Sequence, residues 1–506
     1  MPLVHTLFAD STAEIHLTEG SVRAASIAAD GARLASGLAE LGLAPGDRMA
    51  IWASNGLPYL RCLAAAAAGR FVVVSINTRF AEEEAWSIID RSGATLVITD
   101  RGHASERGHA SERGSTAVVG ISRIAELCDA PVTKAAALAD DPFVVFTTSG
   151  TTSRPKMVLH HQRSIAAHAA DIAAAHRLDA QSKLLVALPL CGAFGLAGLA
   201  GGLAGNSEIW VPDHFDAIEA AGLIEEERIT NTYGSDDMFH RMLATGRDLS
   251  SLHAAGYARF NSSLTDIVRS ASEADVPLVG VYGMSEVQAL FAQKEPAASI
   301  TDRELGGGTP ASSAARARIV DPDTGRASAV GIDGELQLLG PSLFAGYLAE
   351  GGAGLDATLT DEAHVIDDEG QRWFRTGDLG RMEDATAFSY LTRMNDVLRL
   401  GGFLVSPAEI EDVLIQVSGI AEAQVVAVGR AEGVRPVAVV ITDGPIDEQA
   451  VIQHCAARLA RFKTPVRIVE VAQFPTTAGA NGVKIQRNKI QQLAELSLSQ
   501  ATCTTP

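Results

Sequence analysis

Between Asp47 and Asp100 the chain changes its hydrophobic period four times. DRMAIWAS and FVVVSIN carry apolar runs of strand length, PYLRCLAAAAAG and EEEAWSIIDRS space their apolar residues as helices do, and ATLVITD returns to a strand. Such a strand–helix–strand–helix–strand succession favours a mostly parallel sheet with helices on both faces. The expected fold class is α/β, with a large N-terminal body of helix-covered sheets and ligands at the C-terminal ends of the strands.

The chain is 506 residues long, which at about 150 residues per domain implies roughly three or four folding units. Hydrophobic residues make up 47% and charged residues 20%, a composition that excludes wholesale disorder. A formal net charge of −20 disfavours nucleic acid or an anionic bilayer as the main partner. The five cysteines (Cys62, Cys128, Cys191, Cys455 and Cys503) are scattered and form no CxxC pair, which fits a reduced, cytoplasmic setting. The first twenty residues lack the basic flank and apolar core of a signal peptide.

From Leu184 to Gly205 the chain runs 22 residues without a charge, long enough for a membrane span. Pro189 and six glycines argue against that, because each glycine costs roughly 1 kcal/mol relative to alanine inside a helix. A buried strand, a turn and a small-residue helix are expected instead. Residues 101–112 repeat RGHASE, a polar surface loop in which His103 and His109 lack the acid or thiol partners of a metal site. A boundary falls near 392–397, dividing the chain into residues 1–394 and 395–506. The second part opens with Ser406, Pro407 and Glu409 spaced as a capping box and continues as a small α+β lid domain.

The chemistry concentrates in Phe143–Lys156, FVVFTTSGTTSRPK, where an apolar strand breaks into a loop of hydroxyls. Thr147, Thr148, Ser149, Thr151 and Thr152 offer donors, Gly150 lets the backbone fold round an anion, and Lys156 adds charge. No GK[ST] follows, so this is not a Walker loop. The segment resembles the phosphate loop of the adenylate-forming superfamily, which includes acyl-CoA synthetases, firefly luciferase and nonribosomal adenylation domains. Further motifs appear in that family's order: Tyr282-Gly283-Met284-Ser285-Glu286, Gly334-Glu335-Leu336 through Gly346-Tyr347, and WFRTGD ending at Asp378. RMNDVLRLGG from Arg393 to Gly402 follows with PAEIE, Phe462-Lys463-Thr464-Pro465 and NGVKIQRNKI.

The resemblance implies an acid–thiol ligase that joins a carboxylic acid to AMP, expels pyrophosphate and transfers the acyl group to coenzyme A. ATP, Mg²⁺ and CoA are the implied cofactors. Lys484, Glu286 and Thr151 would be catalytic, with Glu286 holding the metal. Asp378 would accept from the ribose hydroxyls, Arg393 would donate to ribose or phosphate, and Tyr282 would stack on adenine beside Gly283 and Ser285. Gly401 and Gly402 resemble the segment lining the thiol tunnel. PLCGAFGL resembles the family's PLFHxxGL, so Gly192, Ala193 and Gly195, with Val287, would line an acyl pocket enlarged for a bulky or ring-containing acid. The alternative for Gly192 is a turn at positive φ.

The chain also departs from the family. Ser153 and Met157 replace loop glycines, Asn395 stands at the hinge position, and Asn261 and Ser262 put polar bulk beside the base or acyl group. Ser235-Asp236-Asp237 is read as a helix cap. Loading of a separate carrier protein, and a non-catalytic nucleotide-binding relative, remain the alternative functions.

Overall fold

The computed structural model describes residues 3–101, 116–132, 137–148, 155–260, 264, 266–400, 403–430, 433–479 and 482–502. All of the RGHASE repeat after Arg101 lies outside them. The chain forms two compact units, one drawn from residues 1–259, 266–316 and 338–374 and the other from 260–265, 317–337 and 375–506.

In the first unit, the front alternation appears as read: strands Arg48–Trp52, Val72–Ser75 and Leu96–Thr99 alternate with helices Leu57–Gly69 and Glu82–Ser92. These strands belong to a seven-stranded sheet in which Arg48–Trp52 pairs parallel with both of the others. Pro142–Thr147 adds on in parallel beside Val72–Ser75, then turns back through Met157–His161, an antiparallel partner. A second sheet runs parallel from Glu14–Leu17 through Glu208–Trp210, Lys183–Leu185, Asn231–Ser235 and Ala254–Ala258 to Leu278–Met284. Its continuation through Gln288–Gln293 and Gly306–Pro310 is antiparallel. The uncharged stretch forms strand Lys183–Leu185 and helix Ala193–Gly205, and among the described residues no helix is long and apolar enough to cross a membrane.

In the second unit, strands Arg372–Met382 and Phe388–Arg393 pair antiparallel. The compact unit begins ahead of residue 394/395 because side chains tie these segments together. Thr376 Oγ1 donates to the Leu336 carbonyl at 2.7 Å, and Arg399 bridges to Asp323 at 3.1 Å. The lid elements follow as helix Pro407–Leu414, strands Ile420–Arg430 and Gly433–Thr442, helix Glu448–Ala456 and strand Ile468–Glu470, packed on a core that includes Leu414, Val425, Val440 and Cys455. The predicted capping box does not close. Ser406 is the N-cap residue but its hydroxyl makes no cap bond, and the Glu409 carboxylate, which would return the second bond of the box, pairs with Lys463 instead.

Candidate active site

The hydroxyl loop hangs from a strand pair. Thr147 faces Met157 across it, the Thr148 N–H donates to the Lys156 carbonyl at 3.0 Å, and the Lys156 N–H donates to Thr148 Oγ1 at 3.3 Å. The ends of the loop are thereby fixed. Ser149, Gly150, Thr151 and Thr152 lie outside the described residues, as do Asn261, Ser262, Gly401 and Gly402. Lys156 Nζ stands 4.6 Å from the centroid of the Tyr347 ring, within cation–π range.

The same tyrosine reaches the acidic motif. Its hydroxyl donates to Glu286 Oε1 at 3.0 Å, and the Phe344 N–H donates to the Glu286 carbonyl at 2.8 Å. Burial, reinforced by the Glu286 charge, pushes the Tyr347 phenol well above its ordinary range, so it remains a proton donor. Phe344 packs against the ring at 4.9 Å and fixes its plane. Glu286 itself is 5% exposed and Val287 is fully buried. Gly283 is required here, because a Cβ would stand 2.5 Å from the Ala289 Cα. Tyr282 is buried, with its hydroxyl 3.8 Å from Met284 Sδ, and Ser285 is half-buried. The residues present fit Mg²⁺ by their donor chemistry: the Glu286 carboxylate, sharing Tyr347 with Lys156, suits a hard cation that is held by one or two carboxylates, phosphates and water.

In the second unit, Asp378 and Arg393 are cross-strand partners, with Arg393 Nη1 2.9 Å from Asp378 Oδ1. The carboxylate is buried, whereas 48% of the arginine side chain is exposed. The Asp378 N–H donates to Thr376 Oγ1 at 3.0 Å, which fixes the backbone beneath it. Asn395 sits in a single 3₁₀ turn, Met394–Asp396. Lys484 lies in strand Gly482–Ile485 opposite Thr477, and its side chain is outside the described atoms.

PAEIE also holds a buried acid that ties helix Pro407–Leu414 to the start of helix Arg487–Thr502. Glu411 is buried and accepts from the Val425 N–H at 2.8 Å and from Arg487 at 3.2 Å, while Glu409 pairs with Lys463. Two motif glutamates thus secure two other motifs of the lid. Tyr347 is the residue that joins Lys156 to Glu286, a contact no local spacing announces. Its Gly-Tyr motif was the available signal.

At the proposed acyl pocket, Gly192 is the N-cap residue of helix Ala193–Gly205 with φ −98° and ψ 150°. That is ordinary extended backbone, so the positive-φ alternative is overturned. A Cβ at Gly192 would meet only the Pro189 carbonyl, at 3.5 Å, whereas one at Gly195 would stand 2.3 Å from the same oxygen. Gly195 is a packing residue and Gly192 has space; Ala193 is half-buried beside it. Ser235 accepts from the Met238 N–H at 3.2 Å as a helix cap, with Asp236 and Asp237 in the first turn.

Residues 24–348 match the family described as AMP-binding enzyme, and residues 409–480 match its AMP-binding enzyme C-terminal domain. A 3-[(3aS,4S,7aS)-7a-methyl-1,5-dioxo-octahydro-1H-inden-4-yl]propanoyl:CoA ligase of Mycobacterium tuberculosis is 31% identical over 490 residues, 91% of each chain. A 2-succinylbenzoate–CoA ligase of Bacillus licheniformis is 28% identical, covering 90% of this chain and 92% of that one. ATP-bound MatB from Rhodopseudomonas palustris shares the fold with a TM-score of 0.82 at 24% identity, covering 97% of this chain and 98% of that one.

Proposed function

The chain belongs to the AMP-binding enzyme family, and we propose that it activates a bulky, ring-containing carboxylic acid with ATP and Mg²⁺ and passes the acyl group to coenzyme A. It is an AMP-forming acid–thiol ligase. The observation that carries this reading is the meeting of Lys156 and Glu286 on one tyrosine, the lysine over its face and the carboxylate at its hydroxyl. A phosphate-loop cation and a metal-holding anion belong together where a polyphosphate is cleaved, since phosphoryl chemistry needs positioning and charge neutralisation above all.

In the first half-reaction an acid oxygen bonds to the α-phosphorus as the bridging oxygen departs with pyrophosphate. In the second, the CoA sulfur bonds to the carbonyl carbon as AMP leaves with the former acid oxygen. Bound at Glu286, Mg²⁺ would draw charge from the phosphate oxygens. Lys156 and the hydroxyls of Thr147, Thr148 and Thr151 would hold the phosphates, and Asp378 with Arg393 the ribose. Lys484 would neutralise charge between the acid and the α-phosphate. Gly401 and Gly402 would border the thiol. The functional division we propose, 1–394 and 395–506, pivots at Asn395 between the two steps.

Two observations support a ring-bearing acid: the space at Gly192, and the ring-bearing acids named for the two ligase relatives. A cytoplasmic setting is supported by four free, buried cysteines, Cys62, Cys128, Cys191 and Cys455. The deciding measurement is acid-dependent pyrophosphate release across a graded acid series, with and without CoA. Ring acids should lead, with thioester forming only when CoA is present; equal turnover of acetate-sized acids would sink the substrate reading.

A further inference from the structure

Glu286 lies on a turn whose backbone is costly to hold. At the head of the antiparallel return strand Gln288–Gln293 that the turn feeds, Gln288 has φ 65° and Leu290 φ 62°, left-handed conformations that side-chain-bearing residues rarely adopt. Leu290 is fully buried, so no solvent relieves it. Backbone of this kind persists only where its surroundings over-determine it.

The surroundings are three side-chain bonds between this turn and the segment 160–168. His160, at the end of strand Met157–His161, brings Nε2 within 2.7 Å of the Ser285 carbonyl. His168, on helix Gln162–Ala175, brings Nε2 within 2.7 Å of the Ala289 carbonyl. Gln288 answers from the turn, its Nε2 donating to the Ser164 carbonyl at 3.0 Å and the Ser342 carbonyl at 3.2 Å. A carbonyl can only accept, so both imidazoles must carry their proton on Nε2. Both rings are buried, and burial depresses their basicity, which keeps each a neutral donor. The two clamped carbonyls, of Ser285 and Ala289, bracket Glu286 and Val287.

We propose that His160 and His168 are positioning residues that set where the Glu286 carboxylate stands, and with it the enzyme's grip on the divalent cation. The inference rests on the reading of Glu286 as the metal-holding residue. Neither histidine touches a substrate; each acts through the backbone on either side of the carboxylate. Outer partners that orient a metal-holding group commonly carry a 10- to 100-fold effect on affinity or activity.

The test measures ATP–pyrophosphate exchange against Mg²⁺ concentration in the full-length enzyme, with thermal stability recorded in parallel. His160→Leu and His168→Leu remove the donor; His160→Gln and His168→Gln keep an N–H near the position of Nε2. The leucine variants should raise the Mg²⁺ concentration for half-maximal exchange by about tenfold or more, and the glutamine variants should return it to within roughly threefold of the parent. Where a leucine variant does not fold, asparagine at the same position, an amide too short to reach the carbonyl, takes its place. Losses that follow melting temperature alone, with Mg²⁺ dependence unmoved, overturn the clamp. Glu286→Gln separates the two claims. If it shifts the Mg²⁺ dependence and the histidine variants do not, the clamp alone fails; if it leaves that dependence unchanged, the reading of Glu286 and the clamp fail together.

Discussion

Two buried acids of the proposed machinery, one in each compact unit, are held in opposite ways. Glu286 receives a proton-bearing but uncharged hydroxyl from Tyr347, whereas Asp378 stands against the cation of Arg393. A neutral hydroxyl orients a carboxylate without itself cancelling its charge. A cationic partner offsets the charge and, being half-exposed, can move aside or stay to share a hydroxyl-bearing ligand. The difference suits the two roles we propose, metal holding for Glu286 and ribose binding for Asp378, although both are buried.

The largest effect expected from breaking this contrast is at neither acid but at Lys484. A cation aimed at developing charge contributes about 10²–10³-fold, so Lys484→Ala should cut adenylation by that factor while still converting a supplied acyl-adenylate and CoA to thioester. Asn395→Pro should do the reverse, sparing adenylation and slowing thioester formation, because the ring fixes φ at the proposed pivot. Half-reactions followed separately by pyrophosphate exchange and by thioester absorbance would expose equal losses in both steps, an outcome incompatible with a two-conformation cycle.

Next in size is Asp378→Ala. Removing a hydrogen bond to a charged group costs about 1.5–3 kcal/mol, and ATP affinity measured by calorimetry should fall accordingly. Mg²⁺ dependence should be untouched, since we propose Glu286 as the acid that holds the metal. An Asp378 variant that altered the metal response instead would erase the distinction between the two acids.

Both acids were legible in the sequence because each sits inside a motif of local spacing. Their settings were not. Tyr347 lies 61 residues from Glu286, and Arg487 lies 76 from Glu411, so no local period reports either pairing. The parallel front of the fold was readable because a change of period is itself local. The capping box failed for the converse reason: Ser406 and Glu409 have the correct spacing, but Lys463, distant in sequence, competes for the glutamate.

The region around Glu286 should also be the acid-sensitive one. Burial lowers His160 from 6.5 to about 4 and His176 to about 3, and it lowers His168 as well. Below pH 6.5 the unfolded chain takes up protons on these rings before the folded chain does, so acidification favours unfolding. The contribution is complete above that pH and is lost progressively towards pH 4. Between pH 7 and 5.5 the expected loss is about 1 kcal/mol for each of His160 and His176. All four tryptophans (Trp52, Trp86, Trp210 and Trp373) lie in the first compact unit, so denaturation followed by tryptophan fluorescence reads that unit. A His176→Phe variant should flatten the profile, and an unchanged slope would remove that ring from the account.

The smallest expected effect is at Gly192, where two small terms oppose each other. Alanine there would reduce the freedom of the unfolded chain, worth about 0.4–1 kcal/mol, because the φ of −98° is open to any residue. It would also replace a tolerated helix N-cap with a poor one, at a cost of similar size. Gly192→Ala should therefore leave stability within about 0.5 kcal/mol of the parent. Gly195→Ala should not, because its Cβ would press on the Pro189 carbonyl and overpacking typically costs about 1–3 kcal/mol. With that pair as the structural control, Gly192→Trp tests the pocket: it should fold, lose turnover of the largest ring acids and retain small ones. A tryptophan variant with an unaltered acid profile would show that the space at Gly192 faces away from the acyl group.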